Sequence, residues 1–220
     1  MKGLTGSQLK VIAFIAMILD HIALFFIEPC SILYYFMRTV GRVSFPIFAL
    51  LIAEGFRHTQ NRWRYFALLL LTGVIAEPVW YLLIDEYSPN IMFTLVFGVI
   101  AMALIDVFFD SFGLAAVSVL LIFPLAELLQ VDYGGVGVFA ISSAYLCLKS
   151  DYVHCRALAA LFLSLVMAQY NITGALLALF IMLFYNGKRG FIQDPCGKYI
   201  FYYLYPVHIY YLFGFEVLLK

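Results

Sequence analysis

The sequence has 220 residues, of which 65% are apolar and only 12% are charged. A soluble globular domain is about half apolar and a quarter charged, so this composition excludes one and indicates a polytopic membrane protein. Thirteen Lys and Arg residues balance thirteen Asp and Glu residues, and this zero net charge predicts no nucleic-acid partner. We expect residues 1–220 to form a single integral-membrane domain, because no polar stretch is long enough for a separate soluble one.

Apolar runs follow one another along the chain and predict an all-α bundle of transmembrane helices. A helix needs about 20 mainly apolar residues to cross the hydrocarbon core, and slightly fewer where the bilayer thins. We therefore expect about nine spans, with eight to ten as the range. They lie near residues 9–28, 34–54, 63–84, 91–109, 114–129, 135–148, 155–169, 171–186 and 198–219. The first run is too long for a signal peptide and lacks a small-residue cleavage site, so we interpret it as a retained span.

The Lys and Arg residues of the short loops predict the orientation of the spans. The loops after spans two, six and eight carry Lys or Arg, whereas those after spans three, five and seven carry none. Short basic loops tend to stay in the cytoplasm. We therefore expect a cytoplasmic amino terminus and an external carboxyl terminus. Arg38 is the one exception, because this orientation leaves it on the outer side.

Ionisable residues lie inside four of the predicted spans, at similar depths. From the rise of an α-helix, His21 and Arg42 each lie roughly 18 Å from the cytoplasmic end of their span, Glu77 roughly 21 Å and His208 roughly 14 Å. A charged side chain facing lipid costs about 2.5–3.5 kcal/mol on insertion scales, so these groups should face one another or a wet cavity. We expect Asp20 to pair with Arg42 and His21 to stay neutral and face the cavity.

The shared depth has two interpretations. In the first, these side chains are structural, and a buried Asp–Arg pair and interhelical hydrogen bonds fix the packing. In the second, they line a functional cavity. Pro46 and Pro78 favour the cavity, because they kink the helices that carry Arg42 and Glu77 and so free backbone carbonyls, which membranes tolerate chiefly where protein or water covers them.

A second group of polar residues lies at the predicted cytoplasmic ends of the spans. Its members are Glu54, Arg57, His58, Arg62, Arg64, Lys188, Arg189 and Lys198. Such clusters are often only topology signals. They also suit a phosphate-bearing ligand, because guanidinium groups bind phosphate bidentately. We therefore treat them as candidate cofactor-binding residues.

Neither a metal site nor a nucleotide loop is predicted. The four cysteines at positions 30, 147, 155 and 196 lack metal-binding spacing, and most lie on the predicted reducing side, so we expect no disulfide and no metal. The glycine-rich segment VDYGGVGVF at 131–139 matches neither nucleotide-binding motif. We expect it to allow close helix packing or to form a lip of a substrate site.

Several stretches resemble the TraX family in their order and surroundings, over almost the whole chain. They are LKVIAFIAMILDHI, GRVSFPIFALLIAEGFRHT, NIMFTL, DYG and YLYPVHI. Asp20 and His21 match the family's Asp-His motif, Arg42 its Gly-Arg and His208 its Tyr-Pro-x-His. Residues 54–58 match its Glu-Gly-Phe-Arg-His. The family often has a bulky residue after Asp-Tyr-Gly, where this chain has Gly135. If this loop contacts the acceptor, the difference leaves the identity of the acceptor undetermined.

The resemblance implies an activity. The family is similar to the acyltransferase-3-like membrane acyltransferases, and its named member acetylates the amino terminus of a conjugative-pilus pilin. It implies acetyl-CoA as donor, a location in the bacterial inner membrane, and an acceptor at or beyond the outer face. That acceptor is a pilin-like amine, a glycan hydroxyl or a lipid head group. We also expect the protein to contact membrane lipid.

The predicted function is acetyl transfer, with His21 as general base and Arg42 stabilising the oxyanion. Asp20 orients His21 or holds Arg42, and Glu77 and His208 are further candidates for proton handling. Direct transfer and an acetyl-histidine intermediate are both open. Two alternatives remain: a proton- or ion-coupled transporter, since buried ionisable groups also mark relays, and a non-catalytic pilus-assembly factor.

Overall fold

A computed structural model describes residues 3–84, 88–108, 112–150, 152, 154–192 and 199–219. Within this part of the chain there are ten α-helices and no strand beyond an isolated bridge between Leu4 and Tyr185. The helices are α1 (Gly6–Phe26), α2 (Ile32–Gly41), α3 (Ser44–His58), α4 (Arg62–Leu83), α5 (Ile91–Val107), α6 (Phe112–Leu128), α7 (Gly134–Lys149), α8 (Cys155–Met167), α9 (Ile172–Leu183) and α10 (Ile200–Leu219). The predicted all-α membrane bundle is confirmed.

The helices differ in how well they suit a bilayer. By length and composition, three described stretches can cross a membrane: Gly6–Phe26, Ile32–His58 and Arg62–Leu83. The second of them contains both α2 and α3, so the described helices make nine segments, as predicted. The shorter apolar helices, α5 and α7 to α9 among them, have 12 to 17 residues.

Polar side chains fix where many of the helices begin. Thr5 and Gln8 form a capping box at the start of α1, and Ser31 accepts a hydrogen bond from a backbone N–H at the start of α2. Asn61, Asn90 and Asn171 do the same for α4, α5 and α9. These side chains satisfy amide groups that have no partner in the first turn of a helix. These caps explain where the nearly continuous apolar sequence divides into separate helices.

The connections gather at two ends of the bundle. At the first, the Leu4 amide donates to the Phe184 carbonyl at 2.8 Å, and the Asn186 amide donates to the Leu4 carbonyl at 2.9 Å. We call this the basic end; it comprises residues 3–7, 54–64, 149–150, 154–156 and 184–192. The opposite end comprises residues 27–31, 84, 88–90, 129–133 and 168–171, where the Asp132 amide donates to the Pro89 carbonyl at 3.3 Å.

Several helices stop short of the opposite end. Asn90, which caps α5, donates from Nδ2 to the Gly73 carbonyl at 2.9 Å, and Gly73 lies about 15 Å along the axis before the end of α4 at Leu83. Asn171, which caps α9, donates to the Thr39 hydroxyl at 3.2 Å, well inside α2. The connections before α5, α7 and α9 therefore lie deeper in the bundle than the tips of α1 and α4.

Helix α3 forms the centre of the bundle. Eleven of its side chains are buried, and it packs against α1, α5, α7, α8 and α9. Phe56 and Ile47 are fully enclosed. By contrast, α10 lies at the edge, where it packs mainly on α4 and lightly on α1. The central position of α3 explains why the block from Gly41 to Thr59 contributes to both ends of the molecule.

Candidate functional site

Two histidines from the first and last helices meet inside the bundle. His21 Nδ1 lies 2.9 Å from His208 Nε2, and the two rings are nearly parallel, with an interplanar angle of 6°. Both side chains are buried. The structure therefore brings together two residues that the sequence predicts at one depth on separate helices.

The hydrogen bonds of this histidine pair assign the ring protons. His208 Nδ1 lies 3.2 Å from the Leu204 carbonyl, which can only accept, so this nitrogen carries the proton of a neutral His208 ring. His208 Nε2 is then an acceptor, and His21 Nδ1 donates to it. The remaining nitrogen of His21, Nε2, carries a lone pair. This is the basic position that a general base requires.

The predicted pairing of Asp20 with Arg42 is wrong. Asp20 Oδ2 accepts from Arg38 Nη1 at 2.6 Å, with the two side chains 16% and 18% exposed. Arg38 lies inside α2 on the face towards α1, whereas Arg42 follows the last residue of α2, where the backbone turns into α3. Depth alone places both cations near Asp20, but Arg42, at the end of α2, bonds a different partner.

Gly41 allows Asp20 to approach α2. A Cβ atom built at Gly41 would lie 2.2 Å from Asp20 Oδ1 and 2.3 Å from its Cβ, far inside van der Waals contact. Only a residue without a side chain therefore fits between the Asp20 carboxylate and the helix backbone. The carboxylate oxygen that faces Gly41 is buried, and it has no hydrogen-bond partner among the described residues.

Arg42 instead binds Tyr133, in the connection between α6 and α7. Arg42 Nη1 donates to the Tyr133 hydroxyl oxygen at 2.9 Å. The Tyr133 ring stacks on Phe45 with 4.3 Å between centroids, and Tyr170 contacts it edge-on at 5.0 Å. Tyr133 has a left-handed backbone with φ of 60°, which an L-residue adopts only when its surroundings impose it.

Asp132 precedes Tyr133 and is partly buried. Burial raises the pKa of the Asp132 carboxyl to about 6, although the positive charge of Arg42 opposes the rise. Its backbone carbonyl accepts a hydrogen bond from the Thr94 hydroxyl. The sequence argument expected segment 131–139 to allow close helix packing or to form a lip of a substrate site, and it gave neither Asp132 nor Tyr133 a role. The signal that could have found them is the short polar motif VDYG between two apolar runs.

A small cavity joins these residues. It has a volume of about 50 Å³, and its walls include Asp20, His21, Ser44, Asp132 and Tyr133. A base, two carboxylates and a phenolic hydroxyl therefore face one space, with the two arginines bonded to its walls. Ligand pockets are usually several hundred cubic ångströms, so this cavity has room for only a small group.

Glu77 is bound by Asn90 and does not line the cavity. Glu77 Oε2 accepts from Asn90 Nδ2 at 2.6 Å and from the Asn90 backbone amide at 3.1 Å. These bonds link α4 to the start of α5, near Pro78. The geometry gives Glu77 a position in the framework beside the cavity, and its predicted part in proton handling stays a prediction.

Glu54 is buried at the basic end. Its Oε1 lies 3.3 Å from Arg156 Nη2 and 3.8 Å from His58 Nε2. The Arg156 guanidinium also lies 5.8 Å from the centre of the Tyr185 ring. Arg156, which the sequence argument did not select, therefore connects α3, α8 and the chain that follows α9.

Asp106 holds a second cluster at this end. It forms ion pairs with Arg62 and Lys149, and it accepts a hydrogen bond from the Tyr145 hydroxyl at 2.7 Å. Arg62, one of the predicted cofactor-binding residues, is thus already paired with a carboxylate.

The remaining predicted cations at the basic end are more exposed. Arg57, Lys188 and Arg189 are exposed, and Arg64 lies 5.2 Å from the centre of the Tyr199 ring. Lys198 lies outside the described residues. The basic end therefore presents several cations on one surface, whereas the histidine pair lies deeper, beyond the central packing of α3.

Comparison with known proteins identifies the family. The family model described as TraX protein matches residues 5–216. The chain belongs to the TraX family. It is also 33% identical to the probable fimbrial assembly protein FimC, serogroup H1, of Dichelobacter nodosus, with 93% of each chain covered. No solved structure matches.

The TraX motifs named above divide between the two parts of the site. The Asp-His, Gly-Arg, Asp-Tyr-Gly and Tyr-Pro-x-His motifs all have residues at or beside the small cavity. The Glu-Gly-Phe-Arg-His motif lies at the basic end, where Glu54 binds Arg156. In this TraX chain, motifs from four helices and one connection therefore form two polar groups, one at the basic end and one inside the bundle.

Proposed function

We propose that this TraX-family protein is a membrane acetyltransferase, which moves an acetyl group from acetyl-CoA to an acceptor handled in fimbrial or pilus assembly. The observation that carries the proposal is the contact of 2.9 Å between His21 Nδ1 and His208 Nε2, beside a cavity that Tyr133 also lines. The name of the fimbrial assembly relative supports the process, and the acceptor is a pilin-like amine, a glycan hydroxyl or a lipid head group.

His21 acts as general base through Nε2. The acceptor nitrogen or oxygen attacks the thioester carbonyl carbon while Nε2 takes its proton. The C–S bond then breaks, and the departing thiolate receives that proton, so the products are the acetylated acceptor and free CoA. The bond to His208 holds the His21 ring and shares the charge of the imidazolium that forms, much as a second group orients the base in other acyl transfers.

Arg42 and Tyr133 stabilise the oxyanion together. The Tyr133 hydroxyl oxygen accepts a hydrogen bond from Arg42, so the hydroxyl proton is free to be donated to another group. The cavity that Tyr133 lines is where that group would lie. A phenol polarised by a cation is a strong hydrogen-bond donor to a developing negative charge in a site that excludes water. Asp20 neutralises Arg38 at the cavity wall and so takes a different role from the one the sequence predicts.

The basic end binds the phosphates of acetyl-CoA. Arg57, Lys188 and Arg189 are exposed there, and guanidinium groups suit phosphate oxygens. From Gly6 to His21 the α1 axis rises about 22 Å, so the extended arm of the donor has to pass between helices to reach the cavity. We expect this end to lie in the cytoplasm and the opposite end outside, as the bias of cations favours, and this orientation fits an enzyme of the bacterial inner membrane with an external acceptor.

A non-catalytic role in fimbrial assembly is the second candidate. The relative's name mentions assembly and no reaction, and the cavity of about 50 Å³ is closed to a complete substrate. In that case the buried charges would fix helix packing, and His21 would tolerate replacement wherever the protein still folds.

The deciding experiment measures acetyl transfer by purified protein in nanodiscs. Acetyl-CoA labelled on the acetyl group is supplied, and thiol release is followed together with label on the protein and on added membrane extract. The wild type is compared with His21→Ala and with His154→Ala, an exposed histidine at the basic end. Loss of turnover in His21→Ala alone supports the proposal, and label that stays on denatured protein identifies an acetyl-enzyme. Equal thiol release by all three proteins, or no saturable binding of acetyl-CoA, contradicts it.

A further inference from the structure

A long apolar groove runs between α4 and α10, apart from the histidine cavity. Its volume is about 860 Å³, and it extends from Leu68 and Tyr199 near the basic end to Phe215 and Leu218 near the opposite end. The groove therefore follows most of the length of two membrane helices. Neither the proposed chemistry nor the basic surface uses it.

The walls of the groove suit a hydrocarbon chain. Leu71, Tyr203 and Tyr211 are 56%, 70% and 76% exposed, and nearly all of the lining is apolar or aromatic. A Cβ atom built at Gly214 would meet nothing within 4 Å, so this glycine is not needed for helix packing and leaves the groove wider. Since α4 crosses the membrane, an occupant must be long, apolar and able to enter from the bilayer.

A cation flanks the groove at the basic end. The Arg64 guanidinium lies 5.2 Å from the centre of the Tyr199 ring, which lines the groove. No salt bridge joins Arg64 to an acidic residue within the described chain. Tyrosines and cations at the end of a membrane helix are typical of head-group depth, and basic pockets between such helices bind anionic head groups.

We propose that this groove binds an anionic phospholipid from the leaflet at the basic end. One acyl chain lies between α4 and α10, and the phosphate contacts Arg64. The predicted role of Arg64 in cofactor binding is thereby replaced by lipid binding. Because α10 packs mainly on α4 at the edge of the bundle, the lipid also supports the helix that carries His208. This site is separate from the proposed acetyl-transfer site and does not depend on it.

Lipid retention tests the proposal without any assay of activity. Purified protein is delipidated, incubated with vesicles of phosphatidylglycerol or phosphatidylcholine, repurified and examined by native mass spectrometry. Wild type should retain phosphatidylglycerol in preference to phosphatidylcholine. Arg64→Gln, which removes the head-group contact, and Gly214→Phe, which fills the groove, should each lower retention several-fold. Lys188→Gln, at an exposed cation of the same end, serves as the control and should retain the lipid.

Unfolding temperatures of the variants in detergent establish that each one folds. Equal retention of the two lipids by wild type would overturn the proposal, and so would a folded Gly214→Phe variant that retains phosphatidylglycerol like wild type. A photo-crosslinker at position 214 gives a second measurement: it should label lipid. Labelling of a protein segment instead would assign the groove to a partner helix and reject the lipid.

Discussion

His21 Nδ1 lies 2.9 Å from His208 Nε2, although 187 residues separate them in the chain. The contact joins the first helix to the last, so a folded cavity requires both ends of the polypeptide to be in place. It also makes His208 the partner that orients His21, a role for which the sequence offered Asp20. The first prediction follows from this pairing.

Replacing His208 should affect acetyl transfer according to whether the new side chain accepts a hydrogen bond. His208→Phe leaves His21 Nδ1 without an acceptor, and we expect the rate to fall by about 10²–10⁴-fold, the usual range for general acid–base catalysis. His208→Gln offers an amide oxygen and should recover part of the rate. The measurement is kcat for thiol release in nanodiscs. Equal losses in two well-folded variants would argue against a hydrogen-bonded partner.

Removing the Tyr133 hydroxyl should slow the chemical step. Tyr133→Phe keeps the stack on Phe45 but loses the oxygen that binds Arg42, so we expect kcat to fall by about 10²–10³-fold, as for loss of an oxyanion donor. KM for acetyl-CoA should change little, because the proposed binding site of the donor phosphates is at the basic end. Tyr170→Phe, which also removes a hydroxyl beside this stack, is the matched control and should keep most of the rate.

Adding a methyl group at Gly41 should destabilise the protein. The new Cβ would overlap the Asp20 carboxylate, and overpacking of this kind costs about 1–3 kcal/mol. We expect Gly41→Ala to lower the unfolding temperature in detergent, whereas Gly214→Ala, where a Cβ has open space, should leave it nearly unchanged. An unchanged temperature for Gly41→Ala would show that α1 can shift away from α2 at no cost.

Asp132 should make stability depend on pH. Burial raises the pKa of its carboxyl to about 6 in the folded protein, well above its ordinary value of 3.8, so the folded state disfavours the ionised form. That penalty is complete above pH 6 and disappears as the pH falls towards 4. Lowering the pH from 7.5 to 5 should therefore raise the unfolding temperature of wild type relative to Asp132→Asn. A constant difference between the two proteins would contradict the raised pKa.

The sequence predicted the fold and the depth of the site more accurately than its contacts. Apolar runs and the rise of a helix suffice to place His21 and His208 in one layer, because both quantities depend only on position along the chain. The partner of Asp20 depends on how α1 and α2 rotate about their axes, and no single sequence contains that angle. Arg38 and Arg42 lie one turn apart, so depth could not separate them.

The contacts made by the segments between helices could not be predicted from the sequence either. Tyr133 reaches Arg42 from a segment between helices, and its left-handed backbone follows from tertiary packing rather than from local preference. Where a side chain belongs to a regular helix the periodicity limits its position, whereas a connecting segment offers no comparable rule.

The lengths of α8 and α9 have a consequence for the surrounding bilayer. With 13 and 12 residues they rise about 20 and 18 Å, well short of a hydrocarbon core about 30 Å thick, whereas the 22 residues of α4 exceed it. The bilayer must become thinner beside α8 and α9, whereas it keeps its full thickness beside α4. Hydrophobic mismatch therefore differs around the molecule, and the protein tilts or collects shorter lipids on its thin side. The acyl-chain length of the host membrane therefore influences how far the histidine pair lies from the water at the opposite end.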